Sequence, residues 1–152
     1  MMEFVEVKTE EDCRIVDSLL TELIRFESDI DKTINKSFVV KDYYKNVINK
    51  KYNKICVYAK EEDEAIGYIY AYLKNPIDSV TLTNIICLDA LFVKEKYRNK
   101  KVGKKLLEMV EYWAKENYEK YAIEVTAINN NSRAIKFYED FGFKIIRTTF
   151  RK

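Results

Sequence analysis

The sequence LDALFVKEKYRNKKVGKKL, residues 88–106, combines three patterns in direct succession. Residues 88–93 are apolar except for Asp89, which is typical of a central strand buried on both faces. From Val102 onward, apolar residues recur at helical spacing, with lysines and glutamates between them. A short basic loop joins these two segments. The stretch therefore predicts a buried strand, a loop and the start of an amphipathic helix.

The junction between strand and helix has the properties of an anion site. The first N–H groups of a helix lack partners within the helix, and the helix dipole favours negative charge at that end. A phosphate or pyrophosphate is the natural ligand of such a site, and Gly103 allows a close approach. Several basic side chains add positive charge: Lys94, Lys96, Arg98, Lys100, Lys101, Lys104 and Lys105.

Two common nucleotide-binding loops are excluded by the residues at this junction. A Walker A loop requires a glycine at the position of Arg98 and a serine or threonine at that of Lys105. A dinucleotide-binding loop requires three glycines, of which this segment contains only Gly103. The anion site is therefore of another kind.

The remaining hydrophobic patterns predict a mixed α/β chain with the order β-α-α-β-β-β-α-β-α-β, a sheet with helices packed on it. Thr9 and the three acids after it predict a helix start, Glu61–Glu64 a hairpin tip, and Gly142 a left-handed helix end. Strands are expected at 4–9, 55–59, 65–73, 82–93, 121–127 and 143–150, and helices after Thr9, at 40–49, from Val102 and after Asn131. One face of the strand at 65–73 is expected to carry Ile66, Tyr68, Tyr70 and Tyr72.

The composition excludes several classes of chemistry. The chain has 152 residues and no histidine, so one domain over residues 1–152 is expected, without histidine-based catalysis or metal binding. Cys13, Cys56 and Cys87 are far apart, which indicates neither a disulfide framework nor a cysteine metal site, and no metal is predicted. Free thiols and the lack of a signal-peptide pattern favour the cytoplasm. A net charge of +2 and no long apolar window predict neither a nucleic-acid nor a membrane partner.

Two motifs resemble those of the GNAT (GCN5-related) N-acetyltransferases. The acetyl-CoA loop of that family has the form [QR]-x-x-G-x-[GA], and residues 98–103 read RNKKVG, with Lys101 in place of the middle glycine. The family's second motif, N-x-x-A-x-x-F-Y-x-x-x-G-F, is matched completely by NSRAIKFYEDFGF at 131–143. The order of the motifs and of the predicted elements extends this resemblance over nearly the whole chain.

The resemblance implies a three-layer GNAT-like fold. Its sheet is mixed but mostly antiparallel, has one splayed pair of strands and is flanked by about four helices. The resemblance also implies that the backbone of the splayed strand pairs with the pantetheine arm of acetyl-CoA, and that loop N–H groups bind the pyrophosphate. The implied cofactor-binding residues are Leu91, Phe92, Val93, Arg98, Asn99, Lys100, Lys101, Val102, Gly103, Lys104, Asn131, Ala134 and Tyr138.

The implied reaction is direct transfer of the acetyl group from acetyl-CoA to a primary amine. Tyr138 is the implied general acid for the departing thiolate, and backbone N–H groups near Leu91 or Phe92 stabilise the oxyanion. Asp89 is the first candidate base, by resemblance to polyamine acetyltransferases and because burial raises a carboxyl pKa. Glu124 is the second, by resemblance to N-terminal acetyltransferases of ribosomal proteins.

Each candidate also has a structural interpretation. Asp89 can be an acid hydrogen-bonded to backbone N–H groups, Glu124 a surface residue and Tyr138 a core aromatic, while Asn131 can cap a helix. The favoured function is acetylation of a small molecule, a polyamine-like or other cationic amine, with a carboxylate, a tyrosine or a water relay as the base. The alternatives are acetylation of a protein N-terminus or lysine, nucleic-acid binding through the basic segment Lys94–Lys105, and cofactor binding without catalysis. A homodimer is expected from base rates alone.

Overall fold

The computed structural model describes residues 1–152 and confirms the mixed α/β class, with five strands and four α-helices. The strands are β1 (Met2–Glu6), β2 (Lys54–Glu61), β3 (Glu64–Asn75), β4 (Asn84–Val93) and β5 (Tyr121–Val125). The helices are α1 (Glu10–Ile30), α2 (Tyr43–Ile48), α3 (Val102–Asn117) and α4 (Ser132–Asp140). A 3-10 turn at Glu95–Tyr97 joins β4 to α3. No helix in the structure has both the length and the apolar character that a membrane span needs.

The sheet has the order β1-β2-β3-β4-β5 and separates two hydrophobic layers. The first four strands are antiparallel, and β5 runs parallel to β4. Residues of α1 and α2, such as Val16 and Tyr44, pack on one face, while residues of α3, such as Leu106 and Val110, pack on the other. The structure thus has the predicted three layers, with a mostly antiparallel sheet between two layers of helices.

Strands β4 and β5 separate at one end, as the resemblance implied. Their pairing runs from Asn84 opposite Tyr121 to Leu88 opposite Val125, where β5 ends. Strand β4 continues to Val93, so its edge beyond Leu88 has no strand beside it. The gap leaves peptide groups of β4 facing a cleft instead of a neighbour.

A bulge in β4 lies at the point of separation. Tyr70 of β3 pairs with Ala90, and Ala71 pairs with Leu88, so Asp89 has no partner on β3. An extra residue of this kind reverses the alternation of side chains along a strand. Leu88 accordingly packs in the α3 layer, whereas Ala90 packs in the layer of α1 and α2.

A similar bulge between β2 and β3 makes the predicted face of Ile66 wrong. Ala59 pairs with Gly67 and Lys60 pairs with Ala65, so Ile66 is the extra residue. Ile66 therefore packs in the α3 layer, and not on the face that carries Tyr68. The even spacing in the sequence was misleading at this position because a bulge shifts the alternation by one residue.

The predicted strand over residues 143–150 is wrong. The segment forms no regular structure after α4, and Ile145, Ile146 and Phe150 are exposed. Two ion pairs hold it instead: Arg147 to Glu124 of β5 at 2.9 Å, and Arg151 to Asp31 after α1 at 3.0 Å. Its apolar residues therefore have no sheet face to cover.

The first two helices begin where side chains cap them. The predicted start after Thr9 is confirmed, because Thr9 and Asp12 bond each other's backbone N–H groups in a capping box. Helix α2 begins at Tyr43, later than the predicted residue 40. Its Tyr44 N–H is capped by Oδ1 of Asp17 in α1, at 3.0 Å. The Asp17 carboxylate of α1 thus fixes the start of α2.

Gly67 is required by the close approach of β3 to β4. A Cβ atom at this position would lie 2.6 Å from the Phe92 carbonyl oxygen, a backbone atom that has little freedom to move. We expect Gly67→Ala to lower the free energy of unfolding by about 1–3 kcal/mol, the usual cost of overpacking. Chemical denaturation measures this change. Gly103→Ala is the control, since its Cβ meets nothing closer than 3.6 Å, and equal stability of the two variants would contradict the packing argument.

Candidate active site

A cleft of about 610 Å³ occupies the gap between β4 and β5. Its walls are the free end of β4, the loop and first turn of α3, the segment after β5, the C-terminal half of α1, and α4. Most of the residues predicted for the site line it: Asp89, Leu91, Phe92, Val93, Arg98, Asn99, Lys101, Val102, Gly103, Lys104, Asn131, Ala134 and Tyr138. Lys100 and Glu124 are not among the lining residues.

The loop before α3 exposes a row of backbone N–H groups. Asn99 and Lys101 both have left-handed backbone, with φ of 64° and 62°. Lys101 therefore adopts the conformation that favours glycine, at the position where the family motif has one. The first helical bond runs from the Lys105 N–H to the Lys101 carbonyl, so the N–H groups of Val102, Gly103 and Lys104 lack helical partners.

Arg98 connects this loop to the end of β4. Its Nε donates a hydrogen bond to the Val93 carbonyl at 2.9 Å, and its guanidinium lies 4.8 Å from the centre of the Phe26 ring. The side chain is half-buried at the wall of the cleft. Arg98 thus places a fixed positive charge beside the free N–H groups of α3.

The basic segment Lys94–Lys105 is partly neutralised. Glu64 binds Lys94 at 3.3 Å and Lys96 at 3.0 Å, and Lys94 also meets Glu22 at 3.6 Å. The Tyr97 O–H, followed by these lysines, lowers the pKa of Glu64 to about 2, so the acid stays ionised. The lysines nearest β4 are therefore occupied by carboxylates and do not form a free basic surface.

Asp89 faces the cleft without a hydrogen-bond partner. Its side chain is exposed, and no protein donor lies within hydrogen-bond distance, which overturns the interpretation of Asp89 as an acid bonded to backbone N–H groups. The surrounding protein removes part of its water and raises the pKa of this carboxyl above its ordinary value. Such a carboxylate is free to accept a proton.

Tyr138 lines the cleft from α4. Its ring packs edge-on against Phe137 and Phe143, with centroid distances of 5.4 and 5.5 Å. Burial, followed by the nearby Glu27 carboxylate, raises the pKa of Tyr138 to about 12. The phenol therefore stays protonated at neutral pH and can donate a hydrogen bond into the cleft.

Glu27 is a cleft residue that sequence reasoning missed. It follows Leu23 by one helical turn on α1, and both residues line the cleft. Burial raises the pKa of the Glu27 carboxyl above its ordinary value. The signal was present in the sequence, because the apolar stripe of α1 continues at helical spacing to an acid.

Asn131 and Glu124 have structural partners. Asn131 Oδ1 accepts a hydrogen bond from the Ala134 N–H at 3.2 Å, so Asn131 caps α4 while also lining the cleft. Glu124 sits opposite Cys87 in the paired part of β5, and Arg147 binds it at 2.9 Å. A carboxylate held in this way is less available as a base than Asp89.

Comparison with known proteins agrees with this architecture. The family model "Acetyltransferase (GNAT) family" matches residues 18–143. A spermine/spermidine N(1)-acetyltransferase from Bacillus subtilis (strain 168) is 30% identical over 83 residues, and this match spans 55% of each chain. The chain thus aligns with only about half the length of that curated relative.

Solved structures match over nearly the full length. A mutant of the BH1408 protein from Bacillus halodurans has a TM-score of 0.85 at 18% identity, covering 99% of this chain and 98% of its own. AAC(6')-Iy, in complex with the bisubstrate analogue CoA-S-monomethyl-acetylneamine, has a TM-score of 0.75 at 16% identity, covering 100% and 97%. At these identities the likeness concerns the fold.

The fold and the cleft define an α/β protein in which two parallel strands part beside the N-terminus of a helix. This architecture and the match over residues 18–143 show that the chain belongs to the GNAT acetyltransferase family.

We expect Lys101→Gly to raise the free energy of unfolding by less than about 1 kcal/mol. Left-handed backbone costs a non-glycine residue about 1–2 kcal/mol, and the greater chain entropy of glycine offsets part of this gain. Thermal and chemical denaturation measure the difference, and Lys105→Gly, within regular helix, is the destabilising control. A loss of stability in Lys101→Gly would show that the lysine side chain stabilises the loop.

We expect Asp89→Asn to raise the free energy of unfolding at pH 7. A carboxyl whose native pKa exceeds its unfolded value favours unfolding at every pH above both values, and this penalty disappears below the unfolded value of about 3.9. The stability gained by Asp89→Asn should therefore shrink as pH falls through the raised pKa of the folded state towards the unfolded-state pKa of about 3.9. Denaturant titrations at several pH values test this, and a less stable Asp89→Asn at pH 7 would contradict it.

Proposed function

We propose that this protein is an N-acetyltransferase that moves an acetyl group from acetyl-CoA directly to a primary amine of a small cationic molecule. The observation that carries the proposal is the cleft itself, where the open edge of β4, the free N–H groups of α3, Asp89 and Tyr138 meet. The family to which the chain belongs supports the same reaction.

The residues of the cleft fit acetyl-CoA. The backbone edge of Leu91, Phe92 and Val93 has no strand beside it, which suits the amide groups of a pantetheine arm. The N–H groups of residues 102–104 and the Arg98 guanidinium suit a pyrophosphate. When bound, acetyl-CoA supplies the acetyl group as an activated thioester.

Asp89 is the base in this proposal. An amine that enters as an ammonium must lose a proton before its nitrogen can react, and an unpartnered carboxylate at the bulge of β4 can accept it. The raised pKa brings this carboxyl closer to the pKa of the amine and makes proton transfer less unfavourable. The negative charge also attracts cationic acceptors into the cleft.

Tyr138 is the proton donor. Its phenol remains protonated at neutral pH because burial and Glu27 raise its pKa. It lines the cleft from α4 while Asp89 lines it from β4, so in this proposal its O–H protonates the departing sulfur and Asp89 serves the amine. The two proton transfers are therefore divided between a residue of β4 and a residue of α4.

A small polycation is the proposed acceptor. The curated relative is named for spermine and spermidine, and AAC(6')-Iy is solved with an acetylneamine analogue. In this chain, two carboxylates, Asp89 and Glu27, face the cleft without basic partners, which favours an acceptor that carries more than one positive charge. Glu124, the residue that would favour acetylation of proteins, is bound to Arg147.

The test is release of free thiol from acetyl-CoA with spermidine as acceptor. We expect turnover by the wild type, with kcat/KM lowered about 100-fold or more in Asp89→Asn and in Tyr138→Phe, the usual effect of losing a general base or acid. Glu124→Gln is the matched control and should keep most of the activity. Absence of amine-dependent thiol release would contradict the proposed function. Loss of activity in Glu124→Gln alone would identify Glu124 of β5, and not Asp89, as the base.

A further inference from the structure

A group of tyrosines lies next to Asp89 on the face of the sheet that α1 and α2 cover. We call Tyr43, Tyr52, Tyr70 and Tyr72 the tyrosine cluster. In the β3–β4 register, Tyr72 pairs with Cys87 and Tyr70 pairs with Ala90. The bulged residue Asp89 therefore lies on β4 between the partners of these two tyrosines.

Three rings of the cluster contact one another, and the fourth, Tyr43, contacts the Tyr44 ring at 4.9 Å, which in turn lies 5.5 Å from the Tyr70 ring. Tyr70 and Tyr72 stack with centroids 5.6 Å apart, and Tyr52 lies 5.5 Å from Tyr72. The hydroxyls of Tyr52 and Tyr70 are hydrogen-bonded at 2.7 Å. Tyr70 is buried and supports the group, whereas Tyr43 is 41% exposed and Tyr52 and Tyr72 are half-buried. Aromatic surface is therefore open to solvent on a rigid base.

The tyrosine hydroxyls of the cluster stay protonated, and hence neutral, while the nearby Asp89 carboxylate carries negative charge. Burial raises the pKa of Tyr72 to about 12 and that of Tyr70 well above its ordinary value. The Asp89 carboxylate contributes to both shifts and, after burial, also raises the pKa of Tyr43. Neutral ring faces beside a carboxylate attract organic cations.

The tyrosine cluster already carries one contact of this kind. The Lys54 ammonium lies 4.9 Å from the centre of the Tyr52 ring. The same ammonium donates a hydrogen bond to the Lys50 carbonyl at 2.6 Å. A ring of the cluster thus accepts an alkylammonium, and the faces of Tyr43 and Tyr72 have no such lysine of their own.

We propose that the tyrosine cluster binds a second, non-reacting ammonium of the acceptor, while the reacting amine lies at Asp89. This inference rests on the proposed function, because Asp89 lines the cleft and also follows the partner of Tyr72 and precedes the partner of Tyr70 in the β3–β4 register, whereas the tyrosines themselves lie outside the cleft lining. The ring faces of Tyr72 on β3 and Tyr43 on α2 then determine which acceptor is bound. The proposal predicts a preference for acceptors with two or more amino groups on an alkyl chain.

The first test compares two acceptors. Spermidine carries additional nitrogens, whereas butylamine reproduces one of its arms with a single amino group. We expect Tyr43→Leu and Tyr72→Leu each to raise KM for spermidine about tenfold with little change in kcat, and to leave butylamine kinetics unchanged, as expected for loss of a cation–π contact. Tyr72→Phe should behave like the wild type, because the ring face remains.

Tyr112→Leu, an exposed tyrosine of α3, is the control. Equal losses with both acceptors would assign the cluster a purely structural role. Unchanged spermidine kinetics in both leucine variants would also overturn the proposal.

A second readout separates this inference from the proposed function. Calorimetric titration of spermidine into the protein without acetyl-CoA measures the subsite even if no acetyl transfer occurs. Weaker binding by Tyr43→Leu and Tyr72→Leu, with binding by Tyr112→Leu unchanged, would support the subsite. Binding that is the same in all four proteins would contradict it, whatever the outcome of the thiol assay.

Discussion

The site depends on one constraint, the separation of β4 from β5 after Leu88. A parallel pair that continued to Val93 would satisfy the edge of β4 and fill the cleft with backbone. Because β5 ends at Val125, β4 keeps an open edge in the interior of the protein, beside the first turn of α3. Backbone groups at such an edge need partners from water or from a ligand, so the gap provides a row of donors and acceptors that a bound ligand can use.

The bulge at Asp89 gives this gap its chemistry. In a regular strand the residue after Leu88 would pair with β3, and the alternation would place Ala90 in the α3 layer. The bulge instead releases Asp89 from pairing and presents its carboxylate to the cleft on the side of the tyrosine cluster. One extra residue therefore creates the open acid and turns Ala90 and Phe92 towards α1 and α2.

Local signals in the sequence predicted most of the fold. The strand, loop and helix of residues 88–106, the capping box at Thr9 and the motif at 131–143 depend on contacts between near neighbours, and the structure contains each of these elements. The end strand at 143–150 failed because the apolar residues of a segment do not show whether a sheet edge is available to it. The prediction that Ile66 shares a face with Tyr68 failed because bulges leave no mark in the hydrophobic pattern. The closeness of Asp89 to the tyrosine cluster depends on the β3–β4 register, which one sequence does not reveal.

The most direct measurement is hydrogen exchange of the β4 amides with and without acetyl-CoA. If the cofactor arm completes the open edge, exchange at Leu91–Val93 should slow when acetyl-CoA or free CoA is added, while the amides of β1 and β2 stay unchanged. The first-turn amides of α3, at residues 102–104, should slow in the same titration. Saturating acetyl-CoA with no change at Leu91–Val93 would contradict the account, because the gap between β4 and β5 would then serve some other purpose.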